Sequence, residues 1–372
     1  MNNAVFPVTS QPQFWVIVPT YNPGASAWAD WAVALKNQNC QPMQVIVVDS
    51  GSTDGSVDIS QQAGYTVFHV HAKDFNHGGT RQWALDQGLE HASQLGQSKP
   101  DFVVYLTQDA ILAHPNSLQE LLSAFQQPQV AAAFGRQMPK PSATWLEAHA
   151  RNFNYPETSR TVQLQDKASL GIKACFLSNA FAVYRLQALQ AMGGFPSNLP
   201  LGEDTYTAAK LLLSGQSLHY QASAAVYHSH NYNSTQDFQR MFDTGVFHAQ
   251  NPWLQQSFGR AEGEGMKLLS SQWQTLQQIM SAAPSAAPSA PLSVPLSTPL
   301  STPLSTSSNA SINRQDINQP NPQNPGWLGG SFQLITTNFI KLSAYKLGLA
   351  YRFVPAFLRP YFSMSKAFWL QK

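Results

Sequence analysis

The sequence predicts an α/β fold, with a mostly parallel central sheet, helices on both faces and a helical C-terminal extension. Three observations predict it. Short apolar runs alternate with stretches of helical periodicity, the pattern of repeated βαβ units. The runs are apolar almost throughout, as in strands covered on both faces. Several run out into polar tips, and open α/β sheets bind ligands outside the carboxyl ends of their strands.

Phe14 to Val18 is the first strand, ending at Pro19-Thr20-Tyr21-Asn22-Pro23. Ser26 to Gln38 has helical spacing, with Trp28, Trp31, Ala32 and Leu35 on one side. Met43 to Val48 is the second strand, ending at Asp49. Ser50-Gly51-Ser52-Thr53-Asp54-Gly55-Ser56 then leads into a helix near Asp54, where Asp54 reads as an N-cap. Tyr65 to Val70 is the third strand, His71 to Gly79 a loop and Thr80 to Ala92 a helix.

Phe102 to Leu106 is a buried strand that runs out into Thr107-Gln108-Asp109. A helix from Pro115 to Phe125 follows, with proline at a favourable first position. Val130 to Phe134 is a fifth strand, and Arg136 to Tyr155 reads as irregular. Phe176 to Tyr184 resumes as a strand, and Leu186 to Met192 as a helix stopped by Gly193-Gly194. Gly202-Glu203-Asp204 opens a helix from Thr205 to Leu213, with acids where the helix dipole favours them. Ser217 to Tyr227 holds one or two short strands, and His228-Ser229-His230 follows. Thr235 to Gln250 and Leu254 to Ile279 read as helices.

The chain therefore divides into an α/β domain over 1–250, a helical extension over 251–280, a linker over 281–325 and a tail over 326–372. The linker's Pro-Leu-Ser-Thr repeats bury too little apolar surface to fold. The tail is apolar and basic, with Lys341, Lys346, Arg352, Arg359, Lys366 and Lys372 and no acid. Two readings stand for it. One is an amphipathic helix pair docked on an anionic bilayer; the other is a hairpin packed back on the core or on a partner.

Composition excludes several classes. Of 372 residues, 43% are hydrophobic and only 11% are charged, well under the usual share of about 25%. A net charge of +2 gives no case for nucleic acid. Cys40 and Cys175, the two cysteines, make no disulfide framework or metal cluster, which points to a reducing compartment. Met1 to Gln13 lacks the basic start of a signal peptide. No run reaches the roughly 18 apolar residues of a membrane span. The expected location is the cytoplasm, or the inner face of the cell membrane.

Four strand-end segments carry the chemistry: Pro19-Thr20-Tyr21-Asn22, Asp49 to Asp54, Phe75 to Arg81 and Thr107-Gln108-Asp109. All would converge on one edge of the sheet. Asp109 offers a hard oxygen ligand that could hold Mg²⁺ or Mn²⁺ against a diphosphate. Equally, it could cap the following helix or lie in a solvated loop.

Val18-Pro-Thr-Tyr-Asn22 and Val47-Val-Asp-Ser-Gly-Ser-Thr-Asp-Gly55 resemble the inverting family 2 glycosyltransferases, over roughly residues 14–250. Phe75-Asn-His-Gly-Gly-Thr-Arg81 with Leu106-Thr-Gln-Asp-Ala110 looks like the bacterial rhamnosyltransferases that use dTDP-L-rhamnose. The resemblance implies the GT-A nucleotide-diphospho-sugar transferase fold. It also implies a role for each segment. Tyr21 would stack on the base, and Asp49 would accept from the pyrimidine N3–H. Gly78 and Gly79 would let backbone approach phosphate, Arg81 would contact base or diphosphate, and His77 would touch phosphate or fix the loop. Asp109 would be the last acid of the family's Asp-x-Asp metal motif. Thr107 replaces the first acid, a departure from the pattern. Gln108 stands where relatives often place an acid near the ribose, and a deoxyribose would need none.

Glu203-Asp204 resembles the acidic pair of the acceptor side, with Asp204 as the base and Glu203 the alternate. His228 would complete the metal site, and His230 would join it or contact phosphate or acceptor. Trp145, Phe153, Tyr155 and Trp253 could line an acceptor cleft for a glycan or lipid-linked sugar. The implied activity is inverting rhamnosyl transfer from dTDP-L-rhamnose. The rivals are a UDP-sugar donor on the same fold, a non-catalytic nucleotide-sugar-binding subunit, and a nucleotidyltransferase. The last would want a glycine-rich basic loop where this chain has Pro19 to Pro23.

Overall fold

A computed structural model describes residues 12–282 and 327–370. Its strands are β1 (Phe14–Thr20), β2 (Gln44–Asp49), β3 (Thr66–His69), β4 (Phe102–Leu106), β5 (Ile111–Leu112), β6 (Val130–Met138), β7 (Arg160–Val162), β8 (Phe181–Arg185) and β9 (Ser217–Tyr227). They form one sheet in the order β3-β2-β1-β4-β8-β6-β9-β5, with β7 beside β9. The helices are α1 (Ala25–Lys36), α2 (Ser56–Gln62), α3 (His77–Gln94), α4 (Ser117–Ser123), α5 (Trp145–Asn154), α6 (Lys167–Leu170) and α7 (Leu186–Ala191). After them come α8 (Glu203–Leu213), α9 (Ser234–Gln250), α10 (Pro252–Phe258), α11 (Glu262–Ala282), α12 (Trp327–Leu349) and α13 (Lys366–Leu370).

The first half matches the expected parallel sheet. β1 pairs in parallel with β2 and β4, and β2 with β3. The second half corrects it. β8 enters antiparallel between β4 and β6, and β5 runs antiparallel to β9, while β6 and β9 are parallel. An apolar run bonds to neighbours in either direction, so its composition does not encode its polarity.

Side chains alternate along β1. Phe14, Val16 and Val18 join one layer with Trp28, Trp31 and Leu35 of α1 and Leu118, Leu121 and Leu122 of α4. Trp15 and Ile17 join the other, with Ala84, Leu85 and Ala92 of α3 and Leu211 and Leu212 of α8. Period-two alternation thus gives the sheet two apolar faces, each under helices.

Five local readings change or sharpen. α3 starts at His77, not Thr80, because the Asn76 side chain accepts from the Gly79 N–H at 2.9 Å and caps it. The stretch read as irregular contains α5, capped by Thr144, and residues 176–180 precede β8 instead of joining it. Ser217–Tyr227 is one strand, bulged against β6. The long helix read over 254–279 breaks at Gly259, whose φ of +90° suits glycine. Residues 1–11 and most of the linker, 283–325, lie outside the described residues.

The tail folds back on the core. α12 lies along α9 so closely that a Cβ on Gly348 would come within 2.1 Å of the Phe242 carbonyl. Phe242, Val246, Ala344, Phe368 and Trp369 share a buried cluster there. Farther along, the buried Asp243 carboxylate accepts from the Met364 and Ser365 N–H groups at 2.9 and 3.3 Å. The Ser365 hydroxyl donates to the Pro200 carbonyl at 2.6 Å, in the loop before α8. The opposite face of α12 is an exposed apolar ridge of Phe332, Ile335, Phe339 and Leu342, extended by Phe353, Phe357 and Tyr361. Spacings of three and four place the first four on one helical stripe. Among the described residues no helix is long and apolar enough to cross a membrane.

Candidate active site

Three strand ends are stitched together at the carboxyl edge of β1, β2 and β4. Pro19 and Thr20 finish β1, and the Thr20 carbonyl accepts from the Ser50 N–H at 2.9 Å. Asn22 takes a positive φ of 42°; its N–H donates to Ser52 Oγ and its Oδ1 accepts from the Thr53 N–H. Asp49 is buried and accepts from the Gly51 and Ser52 N–H groups, which hold its carboxylate at the strand tip. Tyr21 is 56% exposed, so its ring is free to meet a planar ligand. Gln108 pairs twice with the Tyr21 backbone, accepting from N–H at 2.7 Å and donating to C=O at 3.2 Å. That amide braces the loop and is not left open for a ribose. Asp54 accepts from the Gly24 and Ser56 N–H groups, a structural role, but the N-cap of α2 is Gly55 and not Asp54 as read from the sequence.

The segment from Phe75 to Arg81, the donor loop of the resemblance, differs from its expectation. Gly78 and Gly79 lie in the first turn of α3, packed against the 196–197 loop. A Cβ on Gly78 would come within 2.0 Å of the Pro196 carbonyl. The glycines therefore permit close packing of two loops, and the phosphate role read for them has no support in this contact. Arg81 is buried rather than open to a diphosphate. Its Nη1 lies 2.9 Å from Glu203 Oε1 and 2.9 Å from the His77 carbonyl. Glu203 is itself 5% exposed and also accepts from Asn179. Burial opposes its ionisation, but the Arg81 charge wins and holds the carboxyl below its ordinary range. Burial pulls the neighbouring His77 imidazole down to about 4. Paired in this way, Glu203 is a poor candidate base, and the alternate role read for it falls to Asp204.

Asp204 differs from its neighbour. Its carboxylate accepts from the Thr205 and Asn179 N–H groups and meets no cation at ion-pair distance among the described residues. Burial, reinforced by the nearby Glu203 charge, raises it to about 6. A carboxylate tuned in that way suits proton abstraction near neutrality.

Asp109, His228 and His230 come together beyond the end of β4. Their ligand atoms all lie within 4.8 Å of one another. His228 Nε2 is 3.3 Å and His230 Nε2 3.4 Å from Asp109 Oδ2. The donor set fits a cation on one observation. Arg151 donates to Gln137 Oε1 at 2.5 Å, and arginine only donates, which fixes that atom as the amide oxygen. His228 Nδ1, 2.7 Å from the same oxygen, must then carry the ring proton. Its Nε2 lone pair is left facing a carboxylate oxygen, an arrangement that repels unless a cation lies between. Burial lowers both imidazoles, His230 to about 4, so near neutrality neither supplies that charge. A second-layer bond that sets the tautomer of a ligating histidine is the usual support for a metal site.

The two clusters are joined by hydrogen bonds. Gln137 Nε2 donates to Ser178 Oγ at 2.9 Å, and the next residue, Asn179, donates to both Glu203 and Asp204. Successive residues thus tie the metal side to the base side. Sequence reasoning missed Gln137, Glu147, Arg151, Ser178 and Asn179. Glu147 and Arg151 belong to α5, for which Thr144-x-x-Glu147 was a readable capping signal. The expected aromatic cleft does not form. Trp145 and Tyr155 are buried in the core, Phe153 stacks on His149, and Trp253 packs edge-on against Tyr206.

Comparison with known proteins matches this picture. The family model described as glycosyl transferase family 2 matches residues 15–193. The chain is 39% identical over 358 residues to the O-antigen chain rhamnosyltransferase WbaN of Salmonella anatum, covering 96% of each chain. It is 37% identical over 355 residues to the O-antigen chain rhamnosyltransferase RfbN of Salmonella typhimurium, covering 95% of each. Among solved structures, the mannosyltransferase PcManGT from Pyrobaculum calidifontis, in complex with GDP-Man and Mn²⁺, is 18% identical. It aligns with a TM-score of 0.49 over 75% of this chain and 77% of its own. The chain belongs to glycosyl transferase family 2 and is a glycosyltransferase.

Proposed function

We propose that the protein transfers L-rhamnose from dTDP-L-rhamnose, with inversion, to a hydroxyl of a lipid-linked glycan. The single observation that carries the reaction is the pairing of a cation-seeking triad with a poised carboxylate through Ser178 and Asn179. The rhamnosyl donor is supported by the names of the two relatives. Asp204 accepts the acceptor hydroxyl proton. The freed oxygen pair forms the new bond at the anomeric carbon, and the old bond to the diphosphate breaks on the opposite face, its electron pair leaving with dTDP. Asp109, His228 and His230 would hold Mg²⁺ or Mn²⁺, which when bound offsets charge on the departing diphosphate. Asp49 and Tyr21 hold the base.

A donor screen with purified protein, with Mg²⁺, Mn²⁺ or EDTA, tests this. Turnover of dTDP-rhamnose that EDTA abolishes is expected; turnover confined to UDP-sugars refutes the donor. Gln108 sharpens it. An amide committed to Tyr21 leaves no carboxylate for a 2′-hydroxyl, so titration calorimetry should show dTDP binding more tightly than UDP.

The exposed ridge on α12 supports work at an anionic bilayer on the cytoplasmic side. Phe353 is 91% exposed, and Arg352 and Lys366 lie in the same acid-free tail. Apolar insertion carries more of this than charge, since Lys341 and Lys346 pair with Asp237 and Glu262. Co-sedimentation with anionic liposomes should fall when Phe339 and Phe353 are both changed to Ser; unchanged binding refutes the ridge.

A further inference from the structure

The burial of Arg81 leaves a need unmet: a leaving diphosphate is met most strongly by a guanidinium fork. Arg240, on the second turn of α9, fills that place. It is exposed, and its guanidinium makes no hydrogen bond or ion pair among the described residues. Its one recorded contact is with the ring of Tyr232, whose centre lies 6.0 Å from the guanidinium carbon. Tyr232 in turn stacks on His230, with ring centres 4.9 Å apart and planes at 7°. The stack therefore runs from Arg240 through Tyr232 to a member of the triad. Burial is the main cause that lowers His77 and His230, and the Arg240 charge adds to it at both. The guanidinium is therefore placed beside the triad by the Tyr232 stack, within range of charge interaction with His77.

Of the other basic side chains, Lys140, whose charge reaches His228, offers a single ammonium and no fork, and two arginines are committed. Arg151 is spent on Glu147 and Gln137, and Arg136 on Glu157.

We infer that Arg240 grips the diphosphate of the bound nucleotide sugar, held over the triad by the Tyr232 ring. This rests on the glycosyl-transfer reading of the site and adds a contact to it. The chemistry required is a pair of phosphate groups, and the donor's pair is the one meant. A lipid-linked acceptor offers the same groups, so the test must separate them.

Titration calorimetry of the full chain with dTDP and with dTMP, in Mn²⁺, makes the separation. The wild type should prefer dTDP. Arg240→Ala should lower dTDP affinity about tenfold to a hundredfold, the scale of a charged hydrogen bond, with dTMP changed much less. Arg240→Lys should recover part of the loss. A role confined to folding would weaken both ligands together and leave their ratio unchanged. An unchanged dTDP-to-dTMP ratio in Arg240→Ala overturns the inference, as does a rise in acceptor KM with dTDP affinity unmoved. UDP and GDP run alongside as controls. If the wild type binds one of those instead, the thymidine donor fails while Arg240 is still judged by its loss on that ligand. A wild type that binds no nucleoside diphosphate overturns both readings.

Discussion

The two acid clusters of the candidate site balance their charge in opposite ways. Glu203 arrives with its counter-ion: Arg81 is 2.9 Å away and both are sealed from water. Asp109 arrives without one, facing two imidazoles that burial keeps neutral. One cluster is electrostatically complete, the other is short of a cation. Asp204 stands at the join, pushed up to about 6 because burial and the completed pair beside it both disfavour its charge. The pattern suggests a division of labour: the closed cluster builds and tunes, and the open one recruits.

The comparison breaks most severely at Asp109. Asp109→Ala should remove several kcal/mol of transition-state stabilisation, at least about 10³-fold in kcat at roughly 1.4 kcal/mol per tenfold. Equilibrium dialysis should show weakened Mn²⁺ binding in the same variant. Normal metal binding would place the cation elsewhere.

Asp204→Asn should lower kcat by about 10² to 10⁴, the range of general-base catalysis, with dTDP affinity kept. The sign of the pH dependence follows from its role. As the proposed base Asp204 would act as a carboxylate, and its value is raised to about 6, so kcat/KM should climb as pH rises to about 6 and flatten above. Asp243 is raised to about 6 as well, but it holds the tail. Asp243→Asn should therefore keep the profile, and a profile that vanishes with it would reassign the titrating group.

Glu203→Gln tests the closed cluster through stability. It strands a buried guanidinium, at a cost of about 3–5 kcal/mol. Urea denaturation should show that loss, with much of it recovered when Arg81→Met is added. A loss under about 1 kcal/mol would mean that the pair is not the completed centre described. The smallest effect belongs to Gln137. Gln137→Leu frees the His228 tautomer and should weaken Mn²⁺ by about tenfold to a hundredfold, the scale for second-layer partners.

Much of this was legible in the residues. β1, β2 and β4 declared themselves as unbroken apolar runs with polar tips, and those tips meet as their positions implied. The triad was readable as well, because Asp109 and the His228–Ser229–His230 spacing are chemically distinctive. What stayed hidden depended on partners far along the chain. Nothing in Arg81 announces a carboxylate 122 positions later, and nothing in Gly78 announces the Pro196 carbonyl. The polarity of β8 is set by how the chain re-enters the sheet, which its apolar content leaves open. Gln137 was lost with the end of β6, where arginine and glutamine interrupt the apolar run. For the tail, the apolar count was right, but one sequence supplied two faces: Gly348 seats one on α9, and the Phe339 stripe stays out.

The tie from Asp243 to residues 364 and 365, and on to Pro200, has a consequence in time. The strands of the sheet leave the ribosome well before the segment that clasps the loop ahead of α8. A nascent polypeptide short of residue 365 has all nine strands in place, but the entry to the helix bearing Asp204 is still unclasped. Proteolytic nicking of that late segment in the mature protein should return it to the same juvenile condition.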